Sequence, residues 1–151
     1  MYGQGIAQLI FPDSKDLEEF IRDHEELDLH ESLLKYGLST KKFLFLDYKG
    51  EQYQEIVNYI LDYEFNLQNE LASQEELEEL GNFEYEYVPE KIREANRILS
   101  QRGYGLFTYP TSGDFYALFI AQLENKTRLL EVQLLADERI PLKERYIKYY
   151  S

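Results

Sequence analysis

From Gly103 to Leu135 the chain reads GYGLFTYPTSGDFYALFIAQLENKTRLLEVQLL. Strand side chains alternate between faces, so Phe115, Ala117, Phe119, Ala121 and Leu123 should face one way and Tyr116, Leu118 and Ile120 the other. Both sets are apolar, which predicts a strand in the middle of a sheet covered on both sides. Leu130, Val132 and Leu134 alternate with Glu131 and Gln133, the pattern of a half-exposed neighbour. Tyr104 to Tyr109 forms the other flank and ends at Pro110, which has no N–H to give to a ladder. Pro110-Thr111-Ser112-Gly113-Asp114 carries turn formers, and Glu124-Asn125-Lys126 marks a second, weaker turn around an Asn tolerant of left-handed backbone. Together these predict a three-stranded antiparallel meander.

Upstream the period changes. Ile6 to Phe11 is a short apolar run, expected as a strand, and Pro12-Asp13-Ser14 breaks it. Leu17, Phe20, Ile21, His24 and Leu27 recur at helical spacing and predict a helix over Lys15 to Leu27. Asp28 with Glu31 has capping-box spacing. The helix after it carries Leu33, Leu34 and Tyr36, with Gly37 expected just past its end. Lys42 to Tyr48 (KFLFLDY) reads as a buried strand of the same sheet. Lys49-Gly50 then turns the chain into a helix with Tyr53, Ile56, Val57, Ile60 and Leu61 as its apolar stripe. Ser73 and Glu76 form a second capping box before Leu77 and Leu80, with the helix running to Gly81. Phe83 to Tyr87 alternates as an edge strand or extended loop. Pro89 suits a helix's first turn, followed by Ile92, Ala95, Ile98 and Leu99 facing inward and Gly103 as the stop. Beyond a connection over residues 137–141, Lys143 to Tyr150 is expected as a helix with Tyr146, Ile147 and Tyr150 on one side. The fold class predicted is α+β: a single domain over residues 1–151, mainly an antiparallel sheet with a C-terminal meander and helices packed on it.

Composition narrows the class. A 44% hydrophobic share supports a core, and the absence of cysteine removes disulfides, thiol nucleophiles and cysteine metal sites. No signal-peptide pattern and no long apolar span is seen, so a cytoplasmic protein is expected. The net charge is −13, which argues against nucleic-acid and anionic-membrane partners. The charge is unevenly spread. Asp13 to Glu31 holds nine acids and two bases, and Glu64 to Glu94 holds ten acids and two bases, while the remainder is nearly balanced. These segments either solubilise helix faces or offer a surface to a basic partner.

Catalytic chemistry is thin. His24 lies on an apolar helix face, where a structural role is expected, and His30 stands six residues away, off the spacing of a helical zinc pair. Asp47 and Asp114 read as turn residues, Asp47 pairing with Lys49. Ser112 lacks the spaced glycines of a nucleophile elbow, and Gly3-Gln4-Gly5 does not follow a strand. No nucleophile, base and orienting partner come together, so no catalytic residue, metal or cofactor is expected. Tyrosine does stand out, with fourteen Tyr, nine Phe and no Trp. Tyr joins a rigid apolar face to a polar tip and is enriched at interfaces. The candidate partner-binding residues are therefore Glu75, Glu76, Glu78 and Glu79, with Glu84, Tyr85, Glu86 and Tyr87, the tyrosines anchoring a partner that the carboxylates attract. The Lys143 to Tyr150 tail either packs home or joins two copies, giving a monomer or a homodimer.

The segment Gly113-Asp114-Phe115-Tyr116-Ala117-Leu118-Phe119 resembles the glycine-aspartate hairpin of the SUKH superfamily, which includes bacterial immunity proteins. The resemblance implies a non-enzymatic α+β domain that binds and neutralises a toxin. In general style the chain is also similar to small uncharacterised proteins of Gram-positive bacteria. The function expected is an acidic binding domain engaging a basic protein, in an antitoxin-like immunity role. The alternatives are a housekeeping domain recognising a small molecule or uncharged partner, and a carboxylate-dependent hydrolase.

Overall fold

A computed structural model describes residues 2–12, 14–111 and 113–151; Asp13 and Ser112, read above as parts of a break and a turn, lie outside the described residues. The sheet has four antiparallel strands, β1 (Leu44–Asp47), β2 (Tyr104–Tyr109), β3 (Phe115–Gln122) and β4 (Lys148–Tyr149), in the order β1-β3-β2-β4. As its doubly apolar pattern requires, β3 is interior. Leu118 and Ile120 enter one core with Leu46 and Leu106, while Ala117, Phe119 and Ala121 enter a second with Phe107 and Tyr109 on the opposite face.

Helices cover both faces. The first core is closed by α4 (Glu55–Leu67), α5 (Gln74–Gly81) and α6 (Val88–Leu99), through Ile56, Ile60, Leu77, Leu80, Ile92 and Ile98. The second is closed by α1 (Tyr2–Ile10), α2 (Leu17–Asp23), α3 (Leu29–Ser39) and α7 (Lys126–Leu130), through Ile6, Ile10, Leu17, Leu33 and Leu129. Each fully buried large apolar side chain of this kind is worth about 1.5–3 kcal/mol. Among the described residues no helix is long and apolar enough to cross a membrane.

Three expected elements take another form. Ile6 to Ile10 is helical, not extended, with Phe11 just past the helix end and its N–H still donating to the Ala7 carbonyl; Ile6, Ala7, Ile10 and Phe11 are all buried, the i, i+1, i+4, i+5 pattern of one helix face. The third meander strand is absent. After β3 the chain forms a 3-10 turn and α7, because β2 holds one edge of β3 and β1 already takes the first half of the other, over Phe115–Leu118. Gln133 instead forms an isolated antiparallel bridge with Tyr146 of the C-terminal segment. The terminal helix is instead a 3-10 turn over Leu142–Arg145 followed by β4. Ile147 and Tyr149 join one core while Tyr150 joins the other, which is strand alternation.

Smaller differences have local causes. The first acidic helix is shorter than expected, Leu17–Asp23, and Tyr53 falls outside α4 and is exposed. Gly37 lies within α3 rather than after it, since a Cβ there would overlap the Phe43 ring. The Asp28 and Ser73 caps form as read, each side chain accepting from the backbone N–H three residues on.

Side chains finish the sheet at two places where the backbone ladder stops. At the β4 edge, Asn96 of α6 donates through Nδ2 to the carbonyls of Leu106 (3.2 Å) and Tyr150 (2.7 Å) and accepts from Leu106 N–H (2.6 Å). In the β2–β4 register Leu106 would next face Tyr150, so the amide stands in for a rung. At the β1 edge, the Tyr59 hydroxyl donates to the Lys42 carbonyl (2.5 Å). Continuing the β1–β3 register would pair Lys42 with Ile120.

Candidate functional site

Helix α5 starts from a complete capping box. Glu76 N–H donates to Ser73 Oγ (3.1 Å) and Ser73 N–H donates to Glu76 Oε1 (2.8 Å). With Leu77 and Leu80 buried, the helical period turns Glu75, Glu78 and Glu79 outward, and all three are exposed. Glu76 has a different fate. Besides capping, it pairs with Arg102 at 2.8 Å, and the Ser73 backbone, ahead of Arg102, holds its carboxyl below the usual range.

After α5 the chain runs irregularly through Phe83 to Tyr87, joining no sheet, and enters α6. Glu90 pulls this segment in by accepting from the N–H groups of Glu86 (3.1 Å) and Tyr87 (2.7 Å). Glu84 and Glu86 are exposed, and Tyr87 keeps 65% of its surface in solvent. Tyr85 points the other way. Its hydroxyl accepts from Glu51 N–H (2.8 Å) and lies 3.3 Å from Glu51 Oε1, and burial raises its pKa. The eight residues expected to form one surface therefore divide. Glu75, Glu78, Glu79, Glu84, Glu86 and Tyr87 lie outside, while Glu76 is engaged by Ser73 and by exposed Arg102, and Tyr85 turns in to Glu51.

Beneath Tyr85 sits a buried ion pair. Lys91 Nζ is 2.5 Å from Glu51 Oε1, with side-chain exposures of 2% and 4%. Glu51 Oε2 also accepts from Ile56 N–H at the start of α4 (2.8 Å), and the ammonium lies 5.5 Å from the Tyr85 ring centre. Gly50 permits this closure: its φ is +122°, and a Cβ there would stand 3.1 Å from the Tyr85 hydroxyl. The cluster locks the β1–α4 connection, the Phe83–Tyr87 segment and α6 together. Its carboxylate is saturated by neighbours, which makes it a scaffold for the surface above.

His30 is buried and His24 half-buried. His24 stacks on Phe20 (4.1 Å between centroids), with its Nδ1 2.8 Å from the Phe20 carbonyl. His30 Nε2–H donates to the Pro110 carbonyl at 2.5 Å, and its ring stacks on Tyr109, whose hydroxyl donates to the His30 carbonyl. Asp47 Oδ1 accepts from Lys49 N–H (2.9 Å), a turn contact. Among the described residues no group of three or more His, Asp or Glu side chains is placed to hold a metal ion.

The sequence reading missed Lys91 and Asn96. Both fall on the apolar stripe of α6, beside Val88, Ile92, Ala95 and Leu99, and that position was the available signal. Nothing local marked Glu51, whose partners lie 34 and 40 residues away.

The class defined here is a three-layer α+β domain whose central antiparallel sheet is covered by helices, with an acidic, tyrosine-bearing outer face. The chain belongs to the DUF6630 family, a domain of unknown function, whose family model matches residues 5–142. The match includes the acidic face and the Glu51–Lys91 pair and stops before β4. No curated protein and no solved structure matches the chain.

Proposed function

We propose that this chain is a non-enzymatic binding domain that engages a basic protein through the outer face of α5 and the Phe83–Tyr87 segment. One observation carries the reading: Tyr87 is a largely exposed aromatic, flanked by exposed Glu84 and Glu86 and held in place by Glu90. A fixed, exposed aromatic is the usual anchor of a protein interface, and surrounding charge speeds encounter with an oppositely charged partner. An antitoxin-like immunity role in the cytoplasm is one form of this reading, supported by the hairpin resemblance at Gly113–Phe119.

The test is affinity capture from native lysate at low salt, with elution by a salt gradient. It is run side by side with Tyr87→Ala and with the charge reversal Glu75→Lys/Glu78→Lys/Glu79→Lys. A basic protein retained by the wild type, eluted by moderate salt and lost by both variants is expected. Equal retention by the folded charge-reversed variant would mean that the acidic face only solubilises, and would favour an uncharged or small-molecule ligand.

A further inference from the structure

At the β1 edge, beside α4, the strand pairing along β3 stops short. Strand β1 pairs with β3 only from Asp47↔Phe115 to Leu44↔Leu118, whereas β3 continues to Gln122. The chain leaves this line at Lys41, a non-glycine residue held at φ +62°. The place left beside β3 is a cleft of about 850 Å³, floored by Phe119 and Ile120 and walled by Phe11, Tyr59 and Phe65. That volume is within the range of small-molecule sites, about 300–1,000 Å³.

We propose that this cleft binds a small amphiphilic anion: an aromatic or apolar body carrying one carboxylate-type head. The argument rests on shape and charge. Phe11, Tyr59, Phe65 and Phe119 give the cleft aromatic surfaces beside apolar Ile10, Leu67 and Ile120, which suits a flat apolar body. Among the described residues the charged groups lining the cleft are Lys41, Lys42 and Asp62, two cations to one carboxylate, on a chain of net charge −13. The Lys42 ammonium is already engaged, donating to Ser14 Oγ at 2.7 Å and lying over the Tyr36 ring. Exposed Lys41, at the rim, is the group for the anionic head. Its left-handed backbone closes the end of α3, with Lys41 N–H donating to the Leu38 carbonyl (3.3 Å) and Phe43 N–H to the Gly37 carbonyl (2.9 Å). Glycine is the usual residue at such a cap, so the lysine here brings a charge to the rim at a backbone cost. A peptide adding a strand here is disfavoured, because the Tyr59 hydroxyl already takes the Lys42 carbonyl on the line that continues β1. The site is independent of the acidic face.

Two-dimensional NMR titration with 1-naphthoate, and with 1-naphthylmethylammonium as its cationic counterpart, tests the proposal. Saturable naphthoate shifts centred on the amides of Lys41, Phe65 and Ile120 are expected, with binding at least about tenfold tighter than the cation's, as one charge-assisted contact provides. Lys41→Gly removes the ammonium and suits the positive φ, so the variant should fold at least as well as the wild type and lose about tenfold in affinity. Phe65→Ala, at a position 82% exposed, should also weaken binding without unfolding the protein. Equal affinity for the two probes, shifts centred elsewhere, no naphthoate binding up to millimolar concentration, or unchanged affinity in folded Lys41→Gly would overturn it.

Discussion

Lys91 of α6 and Glu51 of the β1–α4 connection face each other at 2.5 Å with almost no access to water. Desolvating two charges costs several kcal/mol per ion, so the pair adds little net stability as a unit, but removing one partner strands the other. Lys91→Met should therefore destabilise the fold by about 3–5 kcal/mol. Because Glu51 also holds Ile56 and Tyr85, the double variant Lys91→Met/Glu51→Gln should cost clearly less than the sum of the singles yet remain below wild type. Urea unfolding midpoints over the double-mutant cycle check this. Additive losses would show that the two groups are not coupled.

Asn96 offers a second internal test. Its amide completes Leu106 and reaches the Tyr150 carbonyl. Leu106 N–H faces β4, while its neighbour Phe107 faces β3, by the alternation of an antiparallel ladder. Asn96→Leu should cost about 2–4 kcal/mol, from buried backbone groups left unpaired at about 1–3 kcal/mol each. Hydrogen exchange should speed up markedly at Leu106 while Phe107 stays protected. Equal acceleration at both would mean global loosening and would reject the rung assignment.

These two residues also show how far the sequence could be read. The interior place of β3, the Ser73–Glu76 box and the inward face of α6 followed from period and spacing, because each is decided within a few residues. The missing meander strand was not legible. Leu130, Val132 and Leu134 alternate as a strand would, but β1, far upstream in the chain, holds the edge they would need. The acidic surface was legible as composition, yet which of its members are engaged within the fold depends on Glu51, which takes Tyr85, and on Ser73 and Arg102, which take Glu76. A polar residue on an apolar stripe, as at Lys91 and Asn96, was the overlooked local sign of buried polar contacts.

The capping box gives a pH prediction. The folded pKa of Glu76 lies below its ordinary value of 4.5, chiefly through the Ser73 backbone N–H, with Arg102 adding to it. A depressed carboxyl stabilises the fold fully above the unfolded pKa, and that contribution disappears as pH falls through the lowered folded value. The side chain is partly solvated, so the contribution is about 1 kcal/mol or less. Glu76→Gln keeps an acceptor for Ser73 N–H but cannot titrate. Between about pH 6 and pH 3, its thermal midpoint should fall less steeply than wild type's. Parallel curves would remove Glu76 from the acid response.

Gly37 sets helix propensity against packing. Placing Ala in a helix interior gains about 1 kcal/mol over Gly, and α3 would be expected to welcome the change. A Cβ at position 37 would, however, overlap the Phe43 ring, and that ring is fixed on its other sides by Phe11 at 5.1 Å, Tyr109 at 5.0 Å and Phe119 at 5.6 Å. Overpacking a closed core costs about 1–3 kcal/mol or more, so sterics should win and Gly37→Ala should be destabilising by roughly 1–2 kcal/mol net. Phe43→Leu shortens the obstructing side chain. In that background the alanine should cost much less or become favourable, a coupling of about 1 kcal/mol or more, measured by chemical unfolding of the four proteins in the cycle. If Gly37→Ala costs the same in the Phe43→Leu background as in the wild type, the ring is not what requires glycine here, and the backbone of α3 must be.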